Sequence, residues 1–314
     1  MARFVLIATL MLTAASARPV VAQPTAAPFI IEQTGLGYAH LADAVAAIGD
    51  RAGTIRIAPG TYKDCAVQEG GIIAYVAAEP GTAIFDGGIC EDKATLVLRG
   101  RGARVDGLVF QNLSVDDGNG AGIRIEQGNL EVANSLFRNS EEGILSADDP
   151  SASITVTRST FSRLGRCDRG LSCAHSIYIG DYGSLSVSQS RFEKGSGGHY
   201  VKSRSRRNVI ADSTFDDTVG RGTNYMIDLP EGSTGSITGN LFIQGRDKEN
   251  YSTFIAIAAE DRTYSSAGLK IDDNVAAIAP GVTRSTIFIA NWSKDRLAIG
   301  DNRLGDGLTL YEKR

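Results

Sequence analysis

Ser135-Leu136-Phe137, Ser159-Thr160-Phe161, Ser190-Arg191-Phe192, Ser213-Thr214-Phe215 and Asn240-Leu241-Phe242 repeat one short text, and degenerate copies follow at Asn274-Val275-Ala276 and Asn302-Arg303-Leu304. The copies recur every 22 to 34 residues or so, the length of one three-strand coil plus a turn of variable length. A second strand runs in phase: Ile123-Arg124-Ile125, Leu145-Ser146-Ala147, Ile177-Tyr178-Ile179, Val201-Lys202-Ser203, Ile227-Asp228-Leu229, Ile255-Ala256-Ile257 and Phe288-Ile289-Ala290. In each triplet the outer residues point inward and the middle one outward, because side chains alternate across a strand.

One coil cannot bury its own inward face, whereas coils stacked about 4.8 Å apart make a continuous core with files of like residues. The pattern predicts an all-β fold, a single right-handed parallel β-helix, with the repeated Phe as an interior stack and the preceding Ser or Asn as a polar ladder at a turn. Leu41, Ala44, Val45 and Ile48 fall at helical spacing and predict a short N-terminal helix that caps the open end. Thr54-Ile55-Arg56-Ile57-Ala58-Pro59-Gly60-Thr61-Tyr62 then enters the first coil. With that segment the chain resembles the pectate-lyase-like superfamily of right-handed β-helix proteins, from about Ala39 to Leu304. The resemblance implies the fold and leaves the activity open, since lyases, hydrolases, epimerases and adhesive proteins share it.

The N-terminus fits export. Arg3 precedes an apolar run from Phe4 to Ala15, too short to span a bilayer, and Val20-Val21-Ala22 fits a cleavage site before Gln23. The expected division is a signal peptide over 1–22 and one β-helix domain over 23–314, placed in the periplasm or secreted. No later segment is apolar enough to span a membrane. Four cysteines suit that compartment: Cys167 and Cys173 bracket a short loop, and Cys65 and Cys90 lie about one coil apart, so both pairs are expected to be disulfides. The net charge of −4 becomes about −6 once Arg3 and Arg18 leave with the signal, which argues against a general nucleic-acid binder. A monomer is expected.

Aligned coils turn the outward positions into a column: Arg124, Ser146, Tyr178, Lys202, Asp228, Ala256, Ile289. His175 and His199 fall at one equivalent position just before their strands, and Arg204 lies two residues beyond Lys202. A basic cluster of Lys202, Arg204, Arg206, Arg207 and Arg221 in an acidic protein, with Arg206 and Arg207 at the turn after the Lys202 strand, favours an anionic ligand, and a stacked strand face suits an extended polymer. An anionic, uronate-containing polysaccharide meets both demands. Cleaving it by β-elimination needs a cation on the carboxylate, a base for the C5 proton and an acid for the leaving oxygen. Lys202 is a candidate base, with His199 and His175 competing, Tyr178 a candidate acid and Arg204 a carboxylate partner; Arg124, Asp228 and Arg221 are candidate substrate contacts. The set resembles β-helix lyases that cut alginate and chondroitin-type polymers, whose Lys and Arg on neighbouring coils imply such roles for Lys202 and for Arg204 or Arg221, often with calcium assisting. Calcium stays open: Asp148, Asp149 and Asp181 approach one another, but no calcium-loop motif is present and turn formation is the favoured role. No metal ligand set is expected. Two alternatives stand beside the lyase. A glycoside hydrolase needs paired carboxylates, and Asp228 alone is central to the patch. A non-catalytic polysaccharide-binding protein of the envelope would present a similar face, with Trp292 suited to sugar stacking.

Overall fold

The structure, a computed structural model, describes residues 1–2 and 27–314. The expected signal segment, apart from its first two residues, and its cleavage site lie outside the described residues. From Ala52 to Lys313 the chain runs through ten successive strand triplets, each giving one strand to each of three parallel sheets. The first sheet begins each coil, the second carries the repeated Phe and the third carries the column of outward side chains. Two antiparallel strands, Phe29–Ile31 and Leu36–Tyr38, extend the first sheet at its N-terminal edge. The helix Leu41–Ile48 buries Leu41, Ala44, Val45 and Ile48, as their spacing predicts. Among the described residues, no helix is long and apolar enough to cross a membrane.

Each sheet lends the core one file of like side chains. Val105, Val132, Val156, Val187, Ile210, Ile237 and Ile271 pair in sequence along the first sheet. Ile123, Ile144, Ile177, Val201, Ile227, Ile255 and Ile289 do so along the third. On the second, the rings of Phe110, Phe137, Phe161, Phe192, Phe215 and Phe242 stack at 4.8–5.0 Å with planes within 13°. Such contacts add about 0.5–1.5 kcal/mol per pair beyond the area they bury. Phe85 and Tyr62 prolong the stack toward the N-terminus, at 5.7 Å per step.

The polar ladder forms at the turn from the first sheet to the second. The backbone N–H of Ser135 donates to Ser159 Oγ, Ser159 to Ser190, Ser190 to Ser213, Ser213 to Asn240 Oδ1, and Asn240 to Asn274 Oδ1, all at 3.0–3.2 Å. From Asn240 onward the rungs also reach back: the Nδ2 of Asn240, Asn274 and Asn302 donate to the carbonyls of Ile210, Ile237 and Ile271. The residue before each rung from Ser135 to Asn274 turns the corner in the left-handed region, as Asn134, Arg158, Gln189 and Asp212 do with φ of 46–50°.

Both expected disulfides are present. Cys65–Cys90 ties neighbouring coils across a Cα separation of 5.6 Å, and Cys167–Cys173 closes a hairpin between the second and third sheets. The expected outward column needs two corrections. Arg124 pairs with Leu145, and Ser146 falls beside Ile125 on the inner face; Ala256 pairs with Ala290, not Ile289. Each is a one-residue slip, which moves every side chain of a strand to the opposite face.

Phe192 is fully buried with a ring on each side. Phe192→Ala is expected to cost about 3–5 kcal/mol in denaturant unfolding. Arg191→Ala, its outward neighbour, should change stability by about 0.5 kcal/mol or less. Equal effects would contradict the stack as the core's main file.

Candidate functional site

The site grows from two files of the third sheet. In the outward file Leu145, Tyr178, Lys202, Asp228 and Ala256 are consecutive partners. Two residues before the inward Ile or Val of each strand lies a second file, Glu142, His175, His199 and Tyr225, on four neighbouring coils. The turn that leads to His175 is held by its disulfide and by Arg166, whose buried guanidinium donates to the carbonyls of Gly118, Asp168 and Ser172 at 2.8–3.0 Å. Under His199, Tyr200 and Thr223 donate to the fully buried Asp217, and Lys248 Nζ lies 3.1 Å from the same carboxylate. Tyr225 follows Thr223 by two residues, so this network fixes its carbonyl.

The histidine rings stack at 4.9 Å, and Tyr178 meets His175 edge-on at 5.2 Å. The N–H of His199 donates to His175 Nδ1 at 2.9 Å, which leaves the proton of a neutral His175 on Nε2. His199 Nδ1 lies 3.3 Å from the Tyr225 carbonyl, an acceptor, so Nδ1 carries the proton and Nε2 turns its lone pair to Asp228 Oδ2 at 3.5 Å. Close approach of the coils depends on Gly198 (φ 60°): a Cβ there would meet the Ala174 carbonyl at 2.0 Å and His175 Nδ1 at 2.6 Å. Burial pushes His199 down to about 3 and His175 well below its ordinary value, with Lys202 adding to both shifts. Both rings are therefore neutral but weak bases, which counts against either as the group that removes a proton.

Beside them lies a compensated charge cluster. Lys202 Nζ donates to Glu260 Oε1 at 2.6 Å and lies 3.7 Å from Asp228 Oδ2. Arg204 donates to the Tyr178 hydroxyl at 3.1 Å, to Glu231 at 2.6 Å and to Glu260 Oε2 at 2.5 Å. Burial pushes Asp228 up to about 7, only partly offset by Lys202. Burial alone would raise Glu260 too, but its bonds to Lys202 and Arg204 outweigh this and hold it below the carboxylate range. Glu142, fully buried, is pushed well above its ordinary value by desolvation while Oε1 accepts from the His175 N–H.

The structure thus gathers His175, Tyr178, His199, Lys202, Arg204 and Asp228 on adjacent coils and leaves two expected members out. Arg124 is separated from Tyr178 by Leu145 and approaches Glu126 at 3.8 Å. Arg221 lines a groove at the corner of the second and third sheets. Glu142 and Glu260 escaped sequence reasoning, and Glu231, a peripheral carboxylate by sequence, proves to be an Arg204 partner. Glu231 and Glu260 come from turns after their strands, and Glu142 was hidden by the slip at Ser146; without it, the histidine file would have pointed to Glu142. Asp228 is also not the lone central carboxylate, because Glu260 shares Lys202 with it. Asp148 and Asp149 accept turn hydrogen bonds, and Asp181 accepts one from Tyr264. Among the described residues, no three His, Cys, Asp or Glu side chains are grouped to hold a metal ion. Trp292 is half-buried, with the Arg314 guanidinium 4.8 Å from its ring.

The profile of the family described as right handed beta helix region matches residues 96–278. No curated protein matches the chain. Among solved structures, the Streptococcus pneumoniae surface protein and adhesin PfbA is similar at 12% identity and a TM-score of 0.44, over 87% of this chain and 94% of that one.

The buried groups predict a pH signature. A folded-state His pKa below 6.5 makes stability fall as pH drops through that value, because only the unfolded chain takes up the proton. Asp228 acts oppositely: its proton stabilises the fold below 3.8, and this is lost as pH rises toward 7. Between 3.8 and 6.5 the two effects partly cancel. Asp228→Asn should therefore steepen the loss of stability on acidification in that window by about 1.4 kcal/mol per pH unit. Coincident denaturant-midpoint profiles for the two proteins would mean that Asp228 titrates as an ordinary carboxylate.

Proposed function

This chain belongs to the right-handed β-helix family, and on that scaffold we propose that it is an exported protein that cleaves an anionic, uronate-containing polysaccharide by β-elimination at the Tyr178, Lys202 and Arg204 face. One observation carries the reading: the Glu260 carboxylate lies between Lys202 Nζ at 2.6 Å and Arg204 at 2.5 Å. Two cations spaced to share a protein carboxylate are spaced to share that of a uronate. Glu260 is 42% exposed, so a substrate can displace it.

With the uronate in that place its charge is neutralised, and the C5 proton becomes acidic. Asp228, 3.7 Å behind Lys202 and pushed up to about 7, can take a proton from the ammonium. The free amine then removes the C5 proton, the electron pair forms the C4–C5 double bond, and the C4–O bond breaks. Tyr178, oriented by Arg204, returns a proton to the leaving oxygen. The neutral His175 ring packs edge-on against Tyr178, with His199 stacked on His175. Because Arg204 keeps its charge while Lys202 acts as the base, the guanidinium supplies the neutralising charge, and chelation of divalent ions is expected to leave the rate unchanged.

A second reading has its own support. Asp228 is pushed up and Glu260 held down, and both contact Lys202, which is how an acid and a base are set apart in a glycoside hydrolase. Glu260→Gln separates the two. As a stand-in for the substrate carboxylate, Glu260 is dispensable and its loss should tighten polyuronate binding; as a hydrolytic base its loss abolishes turnover.

On a panel of polyuronates, unsaturated ends absorbing in the ultraviolet are expected, with Lys202→Ala and Tyr178→Phe each lowering kcat by about 10²–10⁴. New reducing ends without that absorbance would sink elimination, and binding without cleavage would sink both reactions. Export and the two disulfides go together, because such bonds persist in oxidising compartments. N-terminal sequencing of the protein from a periplasmic fraction should begin at Gln23; a retained Met1 would contradict export.

A further inference from the structure

We propose that the corner between the second and third sheets is a separate binding site, in which one anionic polysaccharide chain lies along the solenoid axis and is held without being cut. The corner contains a groove of about 800 Å³ that shares no lining residue with the Lys202 cluster. It is built from five successive coils, a length of about 19 Å at the inter-strand spacing. One register file forms much of its wall: Asn112, Asn139, Arg163 and Lys194 follow one another at the ends of paired strands. Arg221 joins them from the next coil.

Charge decides the ligand class. Glu141 is the groove's carboxylate, and it is spoken for: the N–H groups of Val115 and Gly120 donate to it at 2.9 Å, and Ser114 and Arg169 donate as well. Burial works against its charge, yet these donors hold its pKa below the ordinary value. Lys194 is balanced by Glu193 at 2.8 Å. Arg163 and Arg221 are different: both are exposed, and neither side chain has an ion pair or hydrogen bond among the described residues. Two unpartnered guanidinium groups, in a protein of net charge −4, concentrate positive potential along this groove.

The remaining lining narrows the class further. Asn139 offers an uncommitted amide that matches hydroxyls, and Val219, 61% exposed, offers an apolar face to a sugar ring. No aromatic side chain lines the groove, so the stacking platform that single-stranded nucleic acid uses is missing there. A hydroxyl-rich, negatively charged chain fits cations, amides and a small apolar floor together. The site does not rest on the cleavage proposed above, and it would serve a protein that only binds equally well.

The full-length protein is titrated calorimetrically with polygalacturonate, alginate and heparin, and with fully methyl-esterified polygalacturonate as the uncharged control. Arg163→Ala/Arg221→Ala is expected to weaken binding of at least one charged polymer about tenfold or more, since both charge-assisted donors of the groove are lost. Both side chains are exposed, so the melting temperature should not move. Lys202→Ala/Arg204→Ala should retain this binding while losing any cleavage, which keeps the two sites distinguishable. The proposal is overturned if the Arg163/Arg221 variant binds like the wild type, if the ester binds as well as the acid, or if none of the three charged polymers binds.

Discussion

Parallel, in-register pairing between successive coils is the constraint from which the rest of the molecule follows. A backbone hydrogen-bond ladder fixes the distance between coils at about 4.8 Å, so each side chain sits on its own equivalents above and below. In the interior that distance suits aromatic faces, and six Phe rings stack with planes nearly parallel. At the turn it suits a hydroxyl or amide facing the next backbone N–H. On the outside it forces ionisable groups into contact range, where each cation must find a carboxylate or a substrate. Core, ladder and candidate site are thus three results of one spacing.

The same spacing explains what was legible in the sequence. Phe137 through Phe242 and their Ser or Asn partners announced the solenoid because stacking demands like residues at like positions. Tyr178, Lys202 and Asp228 could be placed on one face for that reason. Legibility failed where the chain departs from strict repetition. Glu142-Gly143-Ile144 enters its strand one residue earlier than the Leu145 triplet suggested, and Ile289 lies inside because Phe288 belongs to a wider inner face. Glu260 could not be found by alignment at all, since turns of variable length have no register to inherit.

Arg221 shows the same limit from the other side. Its charge singled it out, but nothing in the sequence says on which side of a turn a loop residue will project. Burial was equally hidden. His175 and His199 look like ordinary switches near neutral pH, yet desolvation between packed coils keeps both neutral far into acid. The proton that matters near neutral pH belongs instead to Asp228, a carboxylate on the floor of the cluster.

The ladder changes its chemistry where the aromatic stack ends. Ser rungs accompany Phe137, Phe161, Phe192 and Phe215; Asn rungs, each reaching back to an earlier carbonyl, accompany Phe242, Ala276 and Leu304. A Ser rung gives its hydroxyl proton to a carbonyl of its own turn, whereas each Asn rung gives an amide proton to the coil before it. The Asn turns therefore add a side-chain bond between coils that the Ser turns lack, and the corner stays tied together where the stacked rings run out.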